Sequence, residues 1–438
     1  MTAGFGDRPN TVHVALQPRT RRSLLRRHIF FRSIAHTLIV GSSLLLFEWP
    51  FWGERHARGV TQTVDIDASI SARINMMRIV LITGIIFVHV PYDPTTSPYL
   101  GQFGALDWLR VFLGDSLFRI GVPCLSAISG FLLFHRGWEG FDYGRTLRSK
   151  ASTILLPFLL WNLALLAVVY VAQIRGIGFG YLPDVVHATP RELLSLGLAI
   201  EGWPINIPLY FLRDLLLCLL LSPVIALAVL RYPRITLALM LAYAVLPLPN
   251  GLFLKKSILF GFSFGVFAAL HRIDIARLDR YADLTVLGTL VMAVLLSLAL
   301  YAFGPEFPVW LDMLRSLAAI AGIFGAWALS ALLVRTETGK ALARLGGLSF
   351  WIFCAHYPLL VLFWMVWNRF DVIDYPLFYA VSPVLALAIL AATHAIARRR
   401  LPTLHAILTG RRQGGATRRT EGPRQDPPAK PAAMAQRR

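Results

Sequence analysis

Residues 78–90 read RIVLITGIIFVHV, with an arginine and a histidine enclosed in an otherwise apolar run. Arg78 and His89 are 11 positions apart, and that many steps of about 100° come within roughly 20° of three full helical turns. In a helix both side chains therefore share one face, about 16 Å apart along the axis. Extended back to Ile74, the run reaches the length that a bilayer core asks of a helix. Ionisable groups are expensive in hydrocarbon and usually face the bundle interior or an aqueous cavity. The stretch is thus both the first membrane span and a candidate site. The plainer account lets Arg78 snorkel to the head groups and puts His89 at the outer interface.

The rest of the chain agrees with a membrane reading. Of its 438 residues 56% are hydrophobic and 15% charged, with a mean hydropathy of +0.59. A soluble domain cannot hide that much apolar surface. Ten apolar stretches centre on residues 74–90, 116–134, 153–172, 207–230, 235–248, 257–270, 284–303, 314–334, 349–367 and 377–397. The fifth and sixth are short and separated by PLPNGLFLKK (247–256). Alternate connections hold 12 positive residues, from Arg136 to Arg344, against six in the opposite ones. The positive-inside rule then predicts an all-α integral membrane protein, a bundle of about ten transmembrane helices with both ends cytoplasmic.

The net charge is +19, and most of it lies in the tails. Residues 1–28 hold six Arg against Asp7, and residues 398–438 hold 11 Lys or Arg against Glu421 and Asp426. Basic ends flanking apolar spans suit anionic lipid head groups, so nucleic acid is not an expected partner. Three parts follow: a basic N-terminal extension, 1–71; a ten-helix domain, 72–400; and a disordered basic cytoplasmic tail, 401–438. One apolar segment in the extension, 33–52, would invert every later loop if it crossed the membrane. Its apolar core ends at Glu48, so it reads as an interfacial or re-entrant helix, or as a product of a mis-called start. The nearby TRRSLLR (20–26) loosely resembles a twin-arginine signal, without an A-x-A site after it.

Other polar residues interrupt the spans. Arg119 and the pair Ser129-Gly130 lie in the second; small residues there usually serve packing. Arg213 and Asp214 adjoin each other at the outer end of the fourth, where a local ion pair is the plain expectation. His356 sits inside the ninth, two residues before Pro358, which loosens the helix. The largest outward loop, 173–206, contains Glu201 and Trp203. Cys124, Cys218 and Cys354 lack metal-ligand spacing and read as small buried hydrophobes. No nucleotide-binding glycine loop, HExxH or GxSxG is present.

Taken in order, these stretches resemble the membrane-bound acyltransferase family 3, whose members O-acylate cell-envelope and exported glycans. Arg78, ten residues, then His89 matches that family's first-span pattern. VPCLSAISGFLLF (122–134) is similar to its second-span signature, and RTLRSKASTILLPFLLW (145–161) to its basic-then-Pro approach to the third. LYFLRDL (209–215) resembles its Trp-Phe-Leu-x-x-Leu stretch, with Tyr210 for the Trp. LGGLSFWIFCAHYPLL (345–360) resembles its Ser-x-x-x-Tyr-x-x-His-x-Pro stretch, with Phe353 for the Tyr. The resemblance spans about residues 72–400. GIIFVHVPYDP (84–94) looks most like the succinoglycan-type exopolysaccharide succinyltransferases within the family.

The resemblance implies a multi-pass enzyme of the bacterial inner membrane that takes a succinyl or acetyl group from cytoplasmic acyl-coenzyme A, with no bound cofactor or metal. Its acceptor would be a sugar hydroxyl of an exopolysaccharide or a lipid-linked oligosaccharide, with other polysaccharide-assembly proteins as partners. His89 would be the general base or carry a transient acyl group. Arg78, with Arg148 and Lys150, would hold the donor's phosphates. Arg119 or Arg213 would meet the oxyanion or a distal carboxylate. Ser129, Asp214 and His356 complete the substrate-binding candidates, and Asp93 would orient His89. Two other classes remain open: a transporter using intramembrane charges as a path, and a non-catalytic subunit of polysaccharide assembly. Transporters often show internal repeats, and none is evident here.

Overall fold

The computed structural model describes residues 68–370 and 373–410; the segment 33–52 and the tail beyond 410 lie outside the described residues. Among the described residues the chain is helical, with no strand. The first span is α1 (Ala68–Val88). It stops because Pro91 lacks an N–H and drives Val90 away from the helical region. The His89 N–H closes a last short turn on the Ile86 carbonyl, 3.0 Å away.

The second span is an unbroken run of α2 (Ala105–Val111), a π turn (Phe112–Ser116), a 3-10 turn (Leu117–Ile120) and α3 (Gly121–Phe134). The third is similar: α4 (Tyr143–Lys150), a π turn (Ala151–Leu155) and α5 (Leu156–Ile174). A short α6 (Pro190–Leu198) follows in the large loop. The fourth is broken into α7 (Tyr210–Leu220) and α8 (Ser222–Arg231), and the pair bends by 62°. Pro223 cannot donate a backbone bond at this break, and the Ser222 hydroxyl donates to Leu219 O instead, at 2.7 Å.

Next come α9 (Pro233–Val245), α10 (Lys256–Leu270), α11 (Ile275–Asp279) and α12 (Ala282–Phe303). The C-terminal half holds α13 (Val309–Leu333), α14 (Glu337–Leu345), α15 (Ser349–Phe370), α16 (Tyr375–Arg400) and α17 (Pro402–Leu408). Each of the ten expected stretches is helical, but not every one has the length of a span. Seven described helices are long and apolar enough to cross a membrane, or eight if the bent pair is one span. With 13 and 15 residues, α9 and α10 fall short, because Pro247 and Pro249 end the helix before them and leave a long turn. The folded part also reaches past the expected boundary at 400, since α17 buries His405 and the Trp161 indole donates to Leu408 O at 3.1 Å.

α1 is the hub, in contact with α3, α13, α14, α15 and α16. The tightest crossing is α3 on α10, where Gly130 faces Phe262 O, Gly261 faces Pro123 O and Gly265 faces Ala127 O. Any Cβ at these three would run into backbone, so GFSFG (261–265) acts as a G-x-x-x-G seam. On the outside, Leu284, Leu287, Val291, Leu295 and Leu298 form an exposed apolar stripe along α12. That is the face a multi-pass membrane protein turns to lipid.

Candidate functional site

The histidines of the first and ninth apolar stretches meet. His89, one residue past α1, and His356, fully buried in α15, have ring centroids 5.2 Å apart. His356 Nε2 lies 3.4 Å from His89 Nδ1. That same Nδ1 is 2.9 Å from the Ile85 carbonyl. A carbonyl oxygen only accepts, so His89 Nδ1 carries the hydrogen and its Nε2 keeps a lone pair. The Tyr357 ring stands edge-on to His89, with centroids 6.2 Å apart. In a neutral ring this arrangement leaves Nε2 as the nitrogen that can accept a proton.

What holds His356 in place follows from Pro358. Its missing N–H frees the carbonyl four residues back, Cys354 O. The buried Asn206 amide caps that carbonyl at 2.9 Å. Asn206 N–H in turn donates to Asn162 Oδ1 at 3.0 Å, while Asn162 Nδ2 donates to Leu196 O and Gly197 O, at 2.8 and 2.6 Å. The large loop is thereby tied to the histidine helix by buried bonds.

A cationic cluster surrounds the same end of the bundle. The π turn carries Asp115, and such turns concentrate at functional sites. Asp115 binds Arg119 at 2.6 Å and Arg315 at 3.6 Å, and accepts from Tyr99 Oη at 3.1 Å. Arg119 also donates to Gly114 O at 3.0 Å, and its charge acts on His89, Tyr210 and Lys255. Lys255 caps the start of α10; burial first, then the charges of Arg119 and Arg315, push its ammonium down to about 8. Nearby Arg110 is buried against Asp107 at 2.9 Å and donates to Thr96 O and Tyr375 Oη. Trp203 is exposed and meets Tyr210 edge-on, centroids 4.9 Å apart, as a flat apolar surface beside these charges.

The expected residues divide accordingly. His89 and His356 come together, and the Arg119 charge acts on His89. Arg213 and Asp214 form the local pair, at 2.8 Å. Arg213 also donates to Ala199 O and Leu252 O, while Asp214 accepts from Leu254 N and Lys255 N at 3.2 and 2.8 Å. Both are taken up in bracing the loops. Ser129 donates to Leu125 O at 2.9 Å, beside the glycine seam. Asp93 does not orient His89: it caps the 3-10 turn after it and accepts from Thr95 and Thr96. Burial pushes the Asp93 carboxyl up, but those hydrogen bonds outweigh it and hold the group below the usual carboxylate range.

At the opposite end, Gly346 touches Asn75, so Arg78 sits one turn further into the bundle at about the level where α15 begins. Arg78 is half-buried and has no hydrogen-bond or ion-pair partner among the described residues. Its neighbour Arg73 is fully engaged, forking onto Asp279 at 2.7 and 2.9 Å and donating to Ser330 and Trp327 O. An apolar cavity of about 90 Å³, lined by Ile74, Met77, Cys124 and Trp327, lies alongside. Arg148 is exposed on α4, with Lys150 at that helix's end, beside an open cavity of about 530 Å³. Helix α4 packs near the end of α7, where Tyr143 Oη donates to Leu220 O; no described contact joins Arg148 to Arg78. Sequence reasoning missed Asp115, Arg315, Lys255 and Asn206. Only Asp115 left a local signal, a carboxylate four residues before Arg119 in an apolar run.

Comparison with known proteins gives two matches. A family model described as "Acyltransferase domain" matches residues 71–395. The chain is 62% identical over 358 residues to the succinoglycan biosynthesis protein ExoH of Rhizobium meliloti (strain 1021), covering 82% of this chain and 97% of that protein. No solved structure matches.

Proposed function

The chain belongs to the acyltransferase family whose domain it matches across residues 71–395, and from that premise we propose that it O-acylates a sugar of succinoglycan or of its lipid-linked precursor. It is an acyltransferase that transfers groups other than amino-acyl groups, built into a membrane. The donor is a cytoplasmic succinyl- or acetyl-coenzyme A, and the acceptor a sugar hydroxyl. The Arg78 end of the bundle faces the cytoplasm, as the loop charges require, in the bacterial inner membrane.

The observation that carries this reading is the 2.9 Å contact of His89 Nδ1 with Ile85 O, which makes Nε2 the acceptor of a neutral ring. In the reaction His89 Nε2 takes the hydroxyl proton while the sugar oxygen attacks the thioester carbon. The tetrahedral intermediate gathers negative charge on the former carbonyl oxygen, which the Arg119 charge would oppose. The C–S bond then breaks, and the departing thiolate recovers the proton from His89. Arg78, half-buried and unpartnered among the described residues, is the group suited to a donor phosphate. The acceptor sugar would rest on Trp203 and Tyr210.

The test is the acyl content of exopolysaccharide from a deletion strain carrying the wild-type chain or His89→Ala, read by mass spectrometry. Loss of one acyl mass with His89→Ala, while the protein stays in the membrane fraction, is expected. Unchanged acyl content would overturn the reading.

A further inference from the structure

We infer that His356 is a positioning residue, which accepts a hydrogen bond from His89 Nδ1–H and steadies His89 as it becomes an imidazolium. The inference rests on the reading of His89 as the base. His356 Nδ1 lies 3.0 Å from Ile352 O and 2.9 Å from Phe353 O. Since neither carbonyl can donate, His356 Nδ1 carries the hydrogen and its Nε2 is an acceptor. That acceptor is the atom 3.4 Å from His89 Nδ1. The hydrogens therefore run in one direction: from His89 Nδ1 towards His356 Nε2, and from His356 Nδ1 towards the α15 carbonyls.

In the resting state His89 Nδ1–H divides itself between Ile85 O at 2.9 Å and His356 Nε2 at 3.4 Å, the latter a long contact. Protonation of His89 Nε2 makes Nδ1–H a stronger donor, and bonds to an ionised partner are shorter and about twice as strong. His356 thus does for His89 what a carboxylate does in a serine-hydrolase triad, with a neutral group in its place. A carboxylate would be costly in this apolar interior; a neutral imidazole locked by two backbone carbonyls is not. With its ring fully buried and Nε2 turned to His89, His356 is placed behind the base and not on the substrate.

The experiment uses the full chain in detergent or nanodiscs, with succinyl-coenzyme A as donor and polysaccharide from the deletion strain as acceptor. Three variants are compared with wild type: His89→Ala, His356→Gln and His356→Leu. Glutamine can reproduce both bonds, its NH2 donating to the α15 carbonyls and its oxygen accepting from His89. His356→Leu is expected to lower kcat roughly tenfold to a hundredfold with KM unchanged, the size of one lost hydrogen bond to a charged group. His356→Gln is expected to recover most of kcat. If the Leu variant does not fold, His356→Met fills a similar volume without a strong acceptor and takes its place. Equal activity of the Leu and Gln variants, or a change confined to KM, overturns the inference while His89→Ala stays inactive and the base reading stands. An active His89→Ala overturns both.

Discussion

Asn206→Ala offers a sharp test of how the histidine helix is held. The substitution removes the 2.9 Å bond from Asn206 Nδ2 to Cys354 O, the carbonyl that Pro358 leaves without its helical donor. A buried carbonyl stripped of its partner costs about 1–3 kcal/mol. Asn206 Oδ1 is itself buried without a partner, so its removal offsets part of that loss, and a net cost of about 1–2 kcal/mol is expected. Pro358→Ala restores a backbone N–H four residues after Cys354. In that background Asn206→Ala leaves the carbonyl bonded, and its cost should fall by at least about 1 kcal/mol. The double-mutant cycle cancels the small cavity that alanine leaves in both backgrounds. It is read by unfolding of the purified protein in mixed micelles, followed by tryptophan fluorescence. An Asn206→Ala cost that is the same with and without Pro358 would refute the reasoning, because the two residues would then not share Cys354 O.

If Arg78 holds the proposed donor, Arg78→Gln should reduce kcat/KM for acyl-coenzyme A by roughly tenfold to a hundredfold without loss of folding, since it would remove one charge-assisted contact and breaks no ion pair among the described residues. Steady-state kinetics in nanodiscs check this, and an unchanged kcat/KM would remove Arg78 from the donor site. Lys255 makes a pH prediction. Its ammonium is held at about 8 against an ordinary 10.5, so between those values the unfolded chain keeps a proton that the folded chain has lost. Stability from this group therefore rises with pH across that window, and its unfavourable contribution is fully present below it. Lys255→Met should be more stable than wild type near pH 7, with the gap closing towards about pH 10. A gap that does not change with pH would show that Lys255 is not desolvated.

The contrast between what was legible and what was not follows from the reach of each interaction. Helical geometry alone puts Arg78 and His89 on one face, and adjacency alone pairs Arg213 with Asp214; neither needs the rest of the fold. Apolar run length located the ten long apolar stretches and marked the fifth and sixth as short, but it did not give the full difference between a 22-residue span such as α12 and the 13-residue α9. That difference is set by where prolines stop the chain, and a proline's effect depends on which carbonyl finds another donor. His356 and His89 are 267 residues apart, and their meeting depends on how closely α1 and α15 approach. The approach is fixed by small groups in contact, such as Gly346 on Asn75, as the crossing of α3 and α10 is fixed by its glycine seam. Each of those glycines reads in the sequence as an ordinary small residue, because its partner is a backbone atom in another helix. The proposed base was therefore visible from its own helix, whereas the residue behind it became visible only once two helices were placed side by side. Asp93 shows the same limit in reverse. Four residues after His89 it looked well placed to orient the ring, yet the chain turns at Pro91 and spends the carboxylate on Thr95 and Thr96. Nearness along a chain predicts contact only while the helix continues.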